Sequence, residues 1–489
     1  MTTMTFIKKI KRKGNLYAIE VEGYRDKDGK VRHKYIRYLG RMDEKGNVLP
    51  THGDVKVDRV FRFGFPSIVK SSIDEVDLKG ALRDYKEEIA FLVLSHICSP
   101  ASVSKMLRRA GDFDPSVLGG LELPINRKRV EAALDFLDEN KEIIEQKLYD
   151  HMKRRYDKQT LFYDITSIAL SGHRSALAKI GYPEFEPQVN IGLCIEGKHG
   201  FPIFHDVFAG NIAHRKTLRQ VTERLALFGR TDAVMVFDAG VAGSEKHLNS
   251  IVESSFDVIT RIPMHENIKK LALANISSSF GDMIQLSGTK IYAKELKREK
   301  GKLLVCFNEK MKVSIKEKRY DEVLAAIERK KKKLPIKEGL KDYIEKRDGK
   351  WVINYGEVEG AEKYDGIYVL YCSIKDMPKD KVVNAYFERD RIEKCFSLMK
   401  SELEIDPLRF QMDKRIRARI MLCYLAYLVA TNIEVKLKAN GIPYTFDKAK
   451  ETLDNVYKVH IYRGKKLLER VSTMNDDQRK IMGTFGLLS

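Results

Sequence analysis

The chain has 489 residues, 43% of them hydrophobic and 32% charged. That length prior suggests about three domains and excludes a single small core. Lys and Arg total 89 against 69 Asp and Glu, a formal charge of +20. The excess points to a polyanionic partner, although a basic solvated surface gives the same sum.

Six cysteines are scattered with no CxxC pair, and most lie in apolar runs, as buried free thiols of a reducing compartment do. The N-terminus lacks an uncharged signal core. The longest uncharged apolar run, 420–433, is too short to span a bilayer and suits a buried helix. The expected location is the cytoplasm of a prokaryote.

In chain order, 16–25 and 30–39 are expected strands around Asp28-Gly29, a good hairpin turn. Lys8, Lys9, Lys11, Arg12, Lys13, Arg32, Lys34, Arg37 and Arg41 make this module, residues 1–60, strongly basic. It suits DNA contact or a merely solvated face. Residues 61–156 have a helical pattern with basic ends and are expected to bind DNA. One helix spans 87–98, another starts at 102, and Asn126 caps a long amphipathic one reaching 153.

The period then changes. Residues 161–170, 189–195, 202–208, 233–240 and 256–262 are expected strands, with helices near 214–228 and 244–254. They describe a mixed α/β sheet over 157–262 whose first three strands form a meander. Residues 263–375 contain an inserted subdomain, with a hairpin tipped by Asp348-Gly349, a charged helix ending at Arg329–Lys333, and a return strand at 366–373. Residues 376–435 bring a helix near 386–400 back to the sheet. Residues 436–489 are expected to be a mostly helical tail.

Two aspartates end apolar runs: Leu161-Phe-Tyr-Asp164 and Val234-Met-Val-Phe-Asp238. A lone buried carboxylate is costly unless paired or metal-bound. On central parallel strands both would emerge at one sheet edge. Either could instead open a turn. The later segment carries Tyr386, Arg389, Glu393 and Lys400, spaced Tyr-x2-Arg-x3-Glu-x6-Lys. At about 100° per residue these fall within roughly 60° on one helix. Glu393 is then either a third ligand or half of an ordinary i,i+4 pair with Arg389. Three converging carboxylates make an all-oxygen site that suits Mg²⁺ or Mn²⁺. Two such ions about 3.5–4 Å apart can clamp a phosphodiester for in-line displacement. No HExxH, Cys/His zinc spacing or GxxxxGK[ST] occurs, which disfavours zinc and nucleotide-driven enzymes.

With both aspartates in order, the chain resembles the DDE transposases of bacterial insertion sequences, in the group with the Tyr-Arg-Glu-Lys signature. Further blocks agree: Phe162-Tyr-Asp-Ile-Thr-Ser167, Val207-Phe-Ala-Gly-Asn211, Val236-Phe-Asp-Ala-Gly240, Lys363-Tyr-Asp-Gly-Ile-Tyr368 and Ile405-Asp-Pro-Leu-Arg409. The likeness covers about residues 15–435. His214 stands where the family more often has an acid.

The resemblance implies a ribonuclease-H-like core split by an insertion, with Asp164, Asp238 and Glu393 as ligands of two metal ions. It assigns Tyr386, Arg389 and Lys400 to the DNA end. It also implies a homodimer holding terminal inverted repeats and target DNA. Trp351, on the insertion hairpin, is either a stacking platform for a flipped base or a packed hairpin residue. A DNA-binding regulator that has lost catalysis, and a nuclease that cuts without joining, are the alternatives.

Overall fold

The computed structural model describes residues 4–12, 15–43, 46–50, 55–156, 160–171, 175–181, 186–212, 217–230, 232–238, 240, 256–276, 281–286, 288–408, 412–463 and 466–488. His214 and the helix expected over 244–254 lie outside them.

At the N-terminus, β1 (Met4–Arg12), β2 (Asn15–Arg25), β3 (Val31–Met42) and β4 (Val48–Pro50) form one antiparallel sheet in that order. The expected hairpin joins β2 to β3. Asp26 accepts from the backbone N–H groups of Asp28 (3.1 Å) and Lys30 (2.9 Å), and Gly29 supplies the positive φ of the turn, +74°. Lysines obscured β1, where apolar and basic residues share both faces.

The helices Gly64–Glu75, Lys86–Cys98, Val103–Arg109, Arg127–Glu139 and Lys141–Met152 follow. The long helix expected from Asn126 is two. Asn126 caps its start, accepting from Lys128 N at 3.0 Å. Asn140 ends the first half, its side-chain amide and its backbone N–H both donating to the Phe136 carbonyl at 3.0 Å.

Gly64–Glu75, Lys86–Cys98 and Arg127–Glu139 pack on a buried helix, Asp413–Ala439, which contains the expected apolar run. By length and composition it could cross a membrane, but its most apolar stretch is buried inside the protein. Arg417 grips Asp138 at 2.7 and 2.9 Å, and Ser72 Oγ donates to the Val429 carbonyl at 3.1 Å. The helical region and the main sheet thereby share one continuous core.

That sheet has ten strands. They are β6 (Thr160–Ala169), β7 (Lys179–Ile180), β8 (Pro187–Glu196), β9 (Pro202–Ala209), β10 (Val234–Phe237), β11 (Asp257–Ile262), β12 (Asp282–Leu286), β13 (Thr289–Lys297), β14 (Lys302–Asn308) and the return strand Ile367–Cys372. As expected, β6, β8 and β9 form an antiparallel meander. On the other side of β6, β10 and then β11 run parallel to it. The return strand pairs antiparallel between β11 and β14.

Residues 263–365 therefore divide. The strands β12 to β14 extend the main sheet. The helix Glu309–Lys331, the hairpin β15 (Ile344–Arg347) and β16 (Lys350–Ile353), and the helix Tyr355–Glu362 follow. Val323, Ile327 and Ile344 form a separate small core there. The return strand is β17 by chain order.

The expectation of a mostly helical tail is corrected. The tail contains β18 (Tyr457–Arg463) and β19 (Lys466–Val471), and β18 pairs with β5 (Val55–Arg62). Tyr457, Val459 and Ile461 alternate with Lys458, His460 and Tyr462, a period of two too brief and charged to stand out. Short helices, Phe446–Leu453 and Asp476–Thr484, flank the hairpin.

A buried charge cluster ties the helical layer to the sheet. Glu145, fully buried, accepts from Lys141 Nζ (2.9 Å), Arg224 Nη2 (2.5 Å), His205 Nδ1 (2.7 Å) and His205 N (3.0 Å). Asp206 stands 3.7 Å from Lys141 and 3.9 Å from Arg224. All six cysteines are buried free thiols, as expected.

Candidate active site

The site is built from two strands and a helix pair. In β6, Leu161, Phe162 and Tyr163 are fully buried and Asp164 follows them in mid-strand. In β10, Met235, Val236 and Phe237 are equally buried and Asp238 follows the strand's end. The parallel register sets Val236 beside Phe162. Two residues further along each strand stands an aspartate, so both carboxylates leave the sheet together.

The helix expected over 386–400 is corrected to two, Lys379–Glu388 and Asp390–Ser401. Arg389 joins them. Its N–H donates to the Tyr386 carbonyl (3.2 Å), and Ile392 N donates back to Arg389 O (2.9 Å). This three-residue spacing tightens the backbone into a 3₁₀-like turn. Tyr386 thus lies in the last turn of one helix, and Glu393 in the first turn of the next, where a carboxylate is favoured.

The turn aims Arg389 at the acids. Its Nη1 lies 3.3 Å from Asp164 Oδ2 and its Nη2 2.8 Å from Glu393 Oε1. The Tyr386 hydroxyl donates to Asp238 Oδ1 at 3.0 Å. Asp164 also accepts from Ile165 N at 2.8 Å. The structure therefore brings Asp164, Asp238, Tyr386, Arg389 and Glu393 together. The Arg389 side chain is only 14% exposed, whereas Glu393 is 54% exposed. The i,i+4 pair exists, but its cation is shared with a strand aspartate, unlike a simple surface pair.

Electrostatics follow from burial. The Asp164 carboxyl is pushed up to about 6, first by desolvation and then by Asp238 and Glu393, against Ile165 N–H and Arg389. Burial, then the Asp238 charge, raises the Tyr386 hydroxyl. Burial opposes the Arg389 charge, but Asp238, Tyr386, Asp164 and Glu393 together favour it.

Lys400 lies in the last turn of the Asp390–Ser401 helix, about 10 Å along the axis from Glu393 at 1.5 Å per residue. It is half-buried, with no ion-pair or hydrogen-bond partner among the described residues. Trp351 stands apart, in β16, packed on the small core of Val323, Ile327 and Ile344. Lys330 Nζ lies 5.3 Å from its ring centroid.

One cation escaped the sequence reading. Arg261 of β11 lines a 240 Å³ cleft with Tyr368, Tyr386, Arg389 and Glu393. The available signal was a lone arginine interrupting the apolar run Phe256–Ile262.

Three carboxylates without imidazole or thiolate are the donor chemistry of a hard divalent cation. Among the described residues, however, no group of three acidic, His or Cys side chains is gathered closely enough to hold a metal. The Arg389 guanidinium stands between Asp164 and Glu393 and neutralises them instead.

Comparison with known proteins bears on this geometry. A family model described as "Transposase DDE domain" matches residues 155–429, more than half of the chain. A second, "IS1634 family transposase, N-terminal domain", matches residues 7–52. Among solved structures, the cryo-EM structure of the piggyBac transposase synaptic complex with hairpin DNA is similar at 10% identity and a TM-score of 0.40. That match covers 80% of this chain and 76% of that one, a likeness too loose to fix the fold. No curated protein sequence matches.

Proposed function

The chain belongs to the transposase DDE-domain family, and from that premise we propose that it cuts and joins DNA at the ends of its own insertion sequence. The observation that carries this reading is that Asp164 and Asp238 leave adjacent parallel strands toward the helix pair that brings Tyr386, Arg389 and Glu393. Asp164 and Asp238, distant in sequence, meet Tyr386, Arg389 and Glu393 at the edge of a mixed sheet. The order β9-β8-β6-β10-β11 supports a ribonuclease-H-like core over 157–262, completed by 376–435 after the intervening segment.

Asp164, Asp238 and Glu393 would hold two Mg²⁺ or Mn²⁺ ions, which when bound supply Lewis acidity at the scissile phosphodiester. The chain's own residues do the rest. Tyr386 fixes the Asp238 carboxylate through its hydroxyl. Exposed Glu393 is free to turn inward once Arg389 releases it. Arg389 balances the acids in their absence and, with Lys400, can then take a DNA phosphate, an anion its planar fork matches. The proposal includes membership of the Tyr-Arg-Glu-Lys group and two copies holding two ends.

One observation favours a second reading, a DNA-binding regulator descended from a transposase: the acids are bridged by a cation rather than gathered as a shell. A nicking assay separates the two. With Mg²⁺ and a duplex bearing the inverted repeat that flanks the gene, the chain should release a strand ending in a 3′-hydroxyl. Binding of that duplex with no metal-dependent nick would favour the regulator.

A further inference from the structure

We propose that Arg261 is a phosphate-binding residue of the DNA end, gripping the backbone two stacked tyrosine rings away from the Asp238 carboxylate. This rests on the transposase reading above.

Arg261 interrupts a strand that is otherwise buried from Val258 to Ile262. A guanidinium in such a run is costly unless its head reaches water or a partner. Here the head reaches the cleft shared with Tyr386, Arg389 and Glu393. It lies 5.6 Å over the ring of Tyr368, a residue of the neighbouring strand β17. Tyr368 in turn stacks on Tyr386, with centroids 6.3 Å apart and planes 25° apart. Tyr386 donates to Asp238. The cation therefore sits at the open end of a stack whose other end orients a site carboxylate.

Its charge is uncommitted. Arg389 is spent on Asp164 and Glu393. Among the described residues the Arg261 guanidinium has no hydrogen-bond or ion-pair partner; only the ring face holds it. Cation–π contact fixes the plane of a guanidinium and leaves its edge N–H groups available. Five donors in a planar fork match a phosphodiester bidentately. A purely packing arginine would need no cleft and would most often find one of the nearby acids. Lys400, about two turns along the helix from Glu393, is a second uncommitted cation on a separate element, so a passing strand of backbone could be held at more than one phosphate.

The test is equilibrium binding of the full chain to the terminal-repeat duplex, without divalent metal, across a salt series. Arg261→Gln should weaken binding about tenfold and make the slope of log K against log salt shallower by about one. Arg261→Lys should restore the slope but not the full affinity. Melting temperature confirms that each variant is folded, and Arg261→Lys keeps the test usable if the glutamine variant is not. An unaltered slope in folded Arg261→Gln, with the parent chain binding normally, would overturn this proposal alone. Failure of the parent chain to bind in a salt-dependent way would overturn the proposal and the transposase reading together.

Discussion

Asp164→Asn, Asp238→Asn and Glu393→Gln should each reduce strand cleavage at the element's ends by at least about a thousandfold, since metal-assisted charge stabilisation supplies several kcal/mol. The asparagine and glutamine side chains keep the size and lose the charge. Binding of the end duplex should survive, because the cations remain. Asp164 and Asp238 leave adjacent parallel strands, so neither can be replaced by the other. Measured initial nicking rates and gel-shift affinities on the same preparations check both halves. A variant that cleaves at an undiminished rate would remove that residue from the site.

The second large effect concerns stability. Glu145→Ala should destabilise the chain by about 3–5 kcal/mol, the usual cost of removing one partner from a buried ion pair. Lys141 would keep only Asp206, at 3.7 Å, Arg224 would fall back on Glu142 and Asp206, and the His205 N–H groups would lose their acceptor. The same cluster sets an acid response. The Glu145 carboxyl stands at about 2 against 4.5: burial opposes its charge, but Lys141, His205 and Arg224 outweigh burial. Its contribution is present above 4.5 and is lost as pH falls toward 2, about 3 kcal/mol in all at roughly 1.4 per unit.

His205 and Asp206 act in opposite senses above that window. Burial and Lys141 push His205 down to about 4 from 6.5, so it costs stability as pH falls from 6.5 to 4. Burial pushes Asp206 up to about 6 from 3.8, so it returns stability as pH falls through 6. The two roughly cancel. Asp206→Asn should therefore unmask a fall in denaturant midpoint between pH 6.5 and 4 that the parent lacks. Parallel midpoint curves for parent and variant would contradict the upward shift assigned to Asp206.

What the sequence disclosed follows from the range of each signal. Continuous apolar runs ending in Asp164 and Asp238 marked two buried strands, because such runs need no partner to be recognised. The Tyr-x2-Arg-x3-Glu spacing marked the helical region for the same reason. The break at Arg389 was invisible, since tightening one turn leaves helical periodicity almost intact. Pairing of β18 with β5 joins residues some four hundred apart, which no local pattern reports. Glu145 lies four residues after Lys141 and reads as a surface pair, while the structure buries it completely. Arg261 acquires meaning only through Tyr368 and Tyr386, which arrive from later in the chain. Trp351 carried a legible hairpin, and the structure seats it on a separate small core rather than beside the acids.

Joining, more than cutting, is what separates a transposase from a nuclease. The most direct measurement supplies the purified chain with a labelled duplex whose terminal-repeat strand already ends in a 3′-hydroxyl, a supercoiled target plasmid and Mg²⁺. The account predicts labelled plasmid, formed by the parent chain and lost in Glu393→Gln. Unlabelled plasmid with the parent chain, alongside efficient nicking of the uncut repeat, would contradict it.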